Sequence, residues 1–145
     1  MISRGVTLIE LLVVLAILGV AVAVASPSLF RSVDRFALDS TGHQLVSTFR
    51  MARNEARLGQ RELLGTLSGG ELVLSRGDER LKGMKLPQSI EVQSPADGVA
   101  YAFLASGQIL GPERLELVSG GRYRGVLILG PPPGTVRFEM VEMER

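Results

Sequence analysis

The chain has 145 residues, a net charge of +1 from 16 basic and 15 acidic side chains, one histidine and no cysteine. That is one modest domain, and charge so balanced gives no global field for nucleic acid or an anionic membrane, so binding to either needs a local patch. Without cysteine, disulfides, thiolate nucleophiles, Fe–S clusters and thiolate zinc sites are excluded, and the fold must be stable on packing alone.

The 46% hydrophobic content is concentrated near the N-terminus, where Leu11 to Ala25 run without a polar side chain. Counted back to Val6, the stretch reaches twenty residues and holds one charge, Glu10. As a helix it is about 30 Å long, the hydrocarbon thickness of a bilayer. A secretory signal is the other reading of such a segment, and Val24-Ala25-Ser26 resembles a small-residue cleavage site at its far end. Glu10 separates the two, because a carboxylate in an apolar helix costs a few kcal/mol and a disposable signal has no use for it. It either snorkels to the interface or meets a cationic partner in an assembly.

The string Arg4-Gly5-Val6-Thr7-Leu8-Ile9-Glu10 resembles the class III signal of type IV pilins and pseudopilins, with Val6 where phenylalanine is usual. The resemblance implies that prepilin peptidase cuts between Gly5 and Val6 and N-methylates Val6, whose amine keeps its positive charge. It further implies that this amine pairs with Glu10 of a neighbouring pilin or pseudopilin subunit, which offsets the cost of both charges in lipid. Pro27 falls where pilins commonly place a proline that loosens the long helix.

Beyond the apolar run a helical pattern continues to about Gly59, so one helix of about fifty residues is expected, with Pro27 as the place of a kink. Leu38, Leu45, Phe49, Ala52 and Ala56 form one apolar stripe, kept narrow by Gly42 and Ala52. Arg50, Arg53, Arg57 and Arg61 form a second stripe beside it. This is either a solvated flank bridged to Glu55 or a contact with lipid headgroups, a neighbouring subunit or nucleic acid.

Past Gly59 the period becomes strand-like. Strands are expected at 61–67, 71–75, 89–93, 99–104, 114–118, 123–129 and 135–141. Ser68-Gly69-Gly70, Pro95-Ala96-Asp97-Gly98, Ser106-Gly107, Ser119-Gly120-Gly121 and the run Gly130 to Gly134 separate them. Six or seven short strands make one antiparallel sheet or two small ones, packed on the apolar stripe. The fold class expected is α+β, a long N-terminal helix, transmembrane in its first half, on a small antiparallel β domain. The divisions are a leader at 1–5, a membrane and filament-core helix at 6–27, its amphipathic continuation at 28–60, and a β-rich domain at 61–145.

Phe49-Arg50-Met51-Ala52-Arg53-Asn54-Glu55-Ala56 is similar to the Arg-x-Glu-Ala element of H-type pseudopilins of type II secretion and FimT-type minor pilins. Val99 to Phe103 with Ser106-Gly107 looks like their central strand and its glycine turn, followed by Arg114 to Leu117. Gly121-Arg122-Tyr123-Arg124 resembles the Gly-Arg-x-Arg motif that FimT-type pilins associate with DNA. As a strand pair at i and i+2, Arg122 and Arg124 project to one face toward successive phosphates, with Tyr123 on the other. A further strand follows them here, unlike in the family, and Glu113 and Glu116 dilute their field; a charged hairpin tip or a pilin contact are the other readings.

No catalytic constellation is visible. His43 lies opposite the apolar stripe, Asp34 and Asp39 are lone helix-face charges, and no metal or cofactor site follows from them. Ser68-Gly69-Gly70 lacks the lysine and βαβ setting of a phosphate loop. Glu139, Glu142 and Glu144 read as a solvated acidic tail.

The expectation is a minor pilin or pseudopilin, anchored in inner-membrane lipid with its N-terminus cytoplasmic and its C-terminal domain outside, as Arg4 suggests. It would join a type IV pilus or a type II secretion pseudopilus. The rivals are a DNA receptor of a competence pilus, using Arg122 and Arg124, and a signal-anchored envelope protein with no filament.

Overall fold

The computed structural model describes residues 7–93 and 98–142, without side chains at 24–31 and 142. Met1 to Val6, hence the leader, the Gly5 to Val6 bond and the methylation site, lie outside the described residues, as do Glu144 and the turn residues Pro95 to Asp97.

Helix α1 runs Leu8–Gly59, 52 residues, the single helix its periodicity predicts. Thr7 caps it: its hydroxyl accepts a 3.3 Å hydrogen bond from the Glu10 amide, and its carbonyl accepts one from Leu11 at 3.2 Å. At the other end Gln60 takes a left-handed conformation, φ 50°, and its side-chain amide donates to the Arg57 carbonyl at 2.8 Å, closing the last turn.

The chain divides into two compact units, Met1–Val33 and Asp34–Arg145. In the first, every described side chain from Thr7 to Ala23 is exposed, Leu8 at 82% and Val20 at 65% among them. Among the described residues no helix is long and apolar enough to cross a membrane. The expected twenty-residue span includes Val6, Val24 and Ala25, outside the described side chains.

The second unit carries the core. Strands follow α1 as β1 (Leu63–Ser68), β2 (Glu71–Arg76), β3 (Glu79–Lys85), β4 (Ile90–Gln93), β5 (Val99–Phe103), β6 (Ile109–Leu110), β7 (Arg114–Ser119), β8 (Tyr123–Gly130) and β9 (Thr135–Glu142). They form two antiparallel sheets, a five-stranded one ordered β3-β2-β1-β5-β6 and a four-stranded one ordered β4-β7-β8-β9. The expected apolar stripe, Leu38, Leu45, Phe49, Ala52 and Ala56, is at most 1% exposed. It shares one core with Leu63, Leu72 and Phe103 of the first sheet and Leu117, Leu127 and Val136 of the second. Phe49 lies edge-on to Tyr101 and Phe103, with ring centroids 4.8 and 5.3 Å away.

All seven expected strands are present, within two residues at each end. Two were not anticipated. β3 is an exposed edge strand whose pairing with β2 shifts register between Leu74 and Ser75. Its inward residues Leu81 and Met84 are therefore three apart and give no period-two signal. β6 has two residues, too few to show a period.

Candidate assembly segment and hairpin tip

Glu10 sits in the first turn of α1, exposed. Thr7-Leu8-Ile9-Glu10 has the spacing of a capping box, in which Thr binds the amide three residues on and Glu favours the positive end of the helix dipole. The sequence carried this spacing, but only the Thr7 half of the box is formed: the Glu10 amide donates to the Thr7 hydroxyl, and among the described residues the Glu10 carboxylate makes no hydrogen bond or ion pair.

The arginine flank differs from expectation in its partner. Glu55 does not bridge the stripe; it pairs with Arg76 of β2 at 3.0 Å. Arg53 instead reaches the β5–β6 turn, its Nε donating to the Gly107 carbonyl at 2.8 Å. Arg57 crosses the same turn, so a Cβ on Gly107 would stand 2.7 Å from its Cδ. Arg50 and Arg61 are exposed. The Arg-x-Glu-Ala string thus sends Arg53 to Gly107, Glu55 to Arg76 and Ala56 into the core.

The expected geometry of Arg122 and Arg124 is corrected. Register pairs Ser119 with Tyr123, which leaves Gly120, Gly121 and Arg122 as a three-residue loop. Both glycines have positive φ, 57° and 64°, and the Arg122 amide donates to the Ser119 carbonyl at 3.2 Å. Arg122 is therefore exposed at a hairpin tip, not on the strand with Arg124. Arg124 lies on the outer face of β8 opposite Val118 and Val141, with its Nε 3.7 Å from Glu116. Glu116 thus offsets part of its charge, as its place in the sequence suggested, and β9 follows as the further strand.

His43 is exposed, 3.6 Å from Asp39 and edge-on to Phe138. Asp34 is not a bare helix-face charge: a Cβ on Gly120 would meet its carboxylate at 2.6 Å, so it lies against the hairpin tip. Glu139 pairs in register with Val126 and belongs to β9 rather than to a tail. Among the described residues no group of three His, Asp or Glu side chains is placed to hold a metal.

Residues 1–26 match the family described as the prokaryotic N-terminal methylation motif. The fold is similar to that of the minor pseudopilin EpsH from the type 2 secretion system of Vibrio cholerae. One structure gives a TM-score of 0.54 at 13% identity, covering 71% of this chain and 96% of that one. A second crystal structure of EpsH gives 0.52 at 14% identity, covering 75% and 96%. A search of curated proteins finds no match. The chain thus carries a prokaryotic N-terminal methylation motif and shares the fold of a minor pseudopilin.

Proposed function

We propose that this chain is a minor subunit of a type II secretion pseudopilus or a type IV pilus, inserted in the inner membrane as a precursor and assembled after its leader is removed. Prepilin peptidase cuts between Gly5 and Val6 and methylates the new amine of Val6, which pairs with Glu10 of an adjacent subunit. The observation that carries this reading is the conjunction of a methylation motif over residues 1–26 with the fold of a minor pseudopilin. The first unit supports it physically. A helix with apolar side chains exposed all round is stable only where lipid or other helices surround it.

Its test is the intact mass of the protein from cells with and without an active prepilin peptidase. Loss of Met1 to Gly5 with gain of one methyl group, only where the enzyme is active, is expected. A chain that keeps its leader in both strains overturns the proposal.

The DNA-receptor reading draws its support from Arg122, a cation exposed at the tip of a hairpin. The partial pairing of Arg124 with Glu116 weakens it. On that reading, Arg122→Ala removes about one unit from the salt slope of duplex binding. An unchanged slope excludes it.

A further inference from the structure

The two sheets leave a groove of about 380 Å³ between β6 and the β8–β9 connection, lined by Ile109, Leu110, Glu113, Leu129, Pro131 and Pro133 among others. Its walls are pinned at both ends. At one end the Leu129 amide donates to the Glu113 carbonyl at 2.8 Å. At the other, Gly134 lies so close to Gly107 that a Cβ on it would overlap the Gly107 carbonyl oxygen, and Arg53 of α1 is bonded to Gly107 and packs beside Gly134. Walls held this way are preorganised, so an occupant does not have to order them.

Between the pins the walls cannot close on each other, for a reason visible in the residues. Leu104 donates to the Gln108 carbonyl, and Leu110 stands opposite Ala102, so along β6 the main-chain groups of Leu110 face β5 and those of Ile109 face away. The strand order leaves β6 at the sheet edge. The opposing wall offers Pro131 and Pro133, neither of which has an N–H to donate. The groove is thus lined by apolar side chains on both sides, with the unpaired main-chain groups of Ile109 facing it from β6 and few donors on the proline side. Glu113 is its charged lining residue, exposed, and among the described residues it forms no ion pair. The Arg137 guanidinium lies beside Gly130 at the rim and forms no ion pair with Glu113.

The geometry points to this groove as the acceptor for a basic side chain, lysine or arginine, of a partner protein. The methylene stem lies on Leu110, Leu129 and the prolines, and the cationic head meets Glu113, so an apolar surface and a charge are satisfied by one residue. This goes beyond filament assembly, since it concerns a loop-end surface of the β domain and requires neither leader cleavage nor Glu10.

The test uses the full chain in detergent micelles and two fluorescein-labelled glycine-serine peptides, one with a central leucine-arginine-leucine and one with glutamate replacing the arginine. Fluorescence polarisation should rise saturably with the arginine peptide and not with the glutamate peptide. Glu113→Lys should weaken the arginine peptide about fivefold and create binding of the glutamate peptide. Leu110→Ser, at a side chain 53% exposed, should weaken the arginine peptide without altering the charge preference. Equal polarisation with both peptides, no binding of either, or a Glu113→Lys chain that keeps the original preference overturns the assignment. Leader cleavage scored on the same variants stays normal, so this inference and the filament reading fail separately.

Discussion

The Arg53 guanidinium donates through Nε to the carbonyl of Gly107, 2.8 Å away and 54 positions along the chain. The bond ties the last turns of α1 to the β5–β6 turn, and Arg53 also stands 2.7 Å from where a Cβ of Gly134 would be. One helix residue thereby bonds a turn of one sheet and packs beside a turn of the other. A hydrogen bond from a charged donor contributes about 1.5 to 3 kcal/mol, and the part exposure of Arg53 favours the lower end. Arg53→Ala should therefore lower stability by about 1.5 kcal/mol, read as a shifted urea midpoint. Arg57→Ala, which loses packing on Gly107 but no hydrogen bond, should stay within about 0.5 kcal/mol. Equal effects would show that the stripe acts only through its methylenes.

Phe138 is boxed between two glycines. A Cβ on Gly42 of α1 or on Gly125 of β8 would overlap its ring. In an exposed helix Gly→Ala gains close to 1 kcal/mol from propensity, but at position 42 the ring must be displaced, which typically costs about 1 to 3 kcal/mol. Gly42→Ala is thus expected to lower the melting temperature despite its better helix propensity. Combined with Phe138→Ala the alanine should become stabilising, and additive effects in that double-mutant cycle would exclude the contact.

The sequence made the helix and the face it buries legible because Leu38, Leu45, Phe49, Ala52 and Ala56 repeat with helical spacing and nothing else competes for that face. The strands that bury alternate residues were legible for the same reason. β3 was hidden by its register shift, although Gly77-Asp78 between Arg76 and Glu79 is a two-residue hairpin loop, with Gly77 at φ 57°, and was readable as a turn. Arg122 was misplaced because a Gly-Gly pair suits a two-residue loop, and the choice of a three-residue loop depends on pairing across the sheet. The partners of Arg53 and Glu55 were not legible at all. Both come from segments at least 21 positions away, and periodicity reports which face a residue occupies but not what lies opposite.

Tyr101 is fully buried in that core, and among the described residues its hydroxyl has no hydrogen-bond partner. Burial pushes its phenol up to about 12, from the ordinary value of 10.0. Between those values the unfolded chain has released the proton and the folded chain still holds it, so folding stability is intact below pH 10 and falls as pH rises toward 12. Two pH units correspond to roughly 2 to 3 kcal/mol. Tyr101→Phe should match or exceed the native stability at pH 7, since it buries no unpaired hydroxyl. It should also lose less stability than the native chain between pH 9 and pH 11.5 in urea titrations. Parallel losses in the two proteins would place the alkaline transition elsewhere.

Glu10 has two physical roles open to it, and they separate by substitution. Within one subunit its main-chain amide donates to the Thr7 hydroxyl at the helix start, a bond that glutamine at position 10 leaves intact. As the counter-charge of a neighbouring Val6 amine it acts between subunits and requires the negative charge, which glutamine lacks. If the charge is what assembly needs, Glu10→Gln should be processed normally and fail to enter filaments. Thr7→Ala, which costs the helix about 1 kcal/mol, should still enter them. The measurement is the fraction of processed chain that sediments with sheared filaments or cross-links to a neighbouring subunit. Normal incorporation of Glu10→Gln together with failure of Thr7→Ala would reduce Glu10 to a helix cap and remove the intersubunit pair.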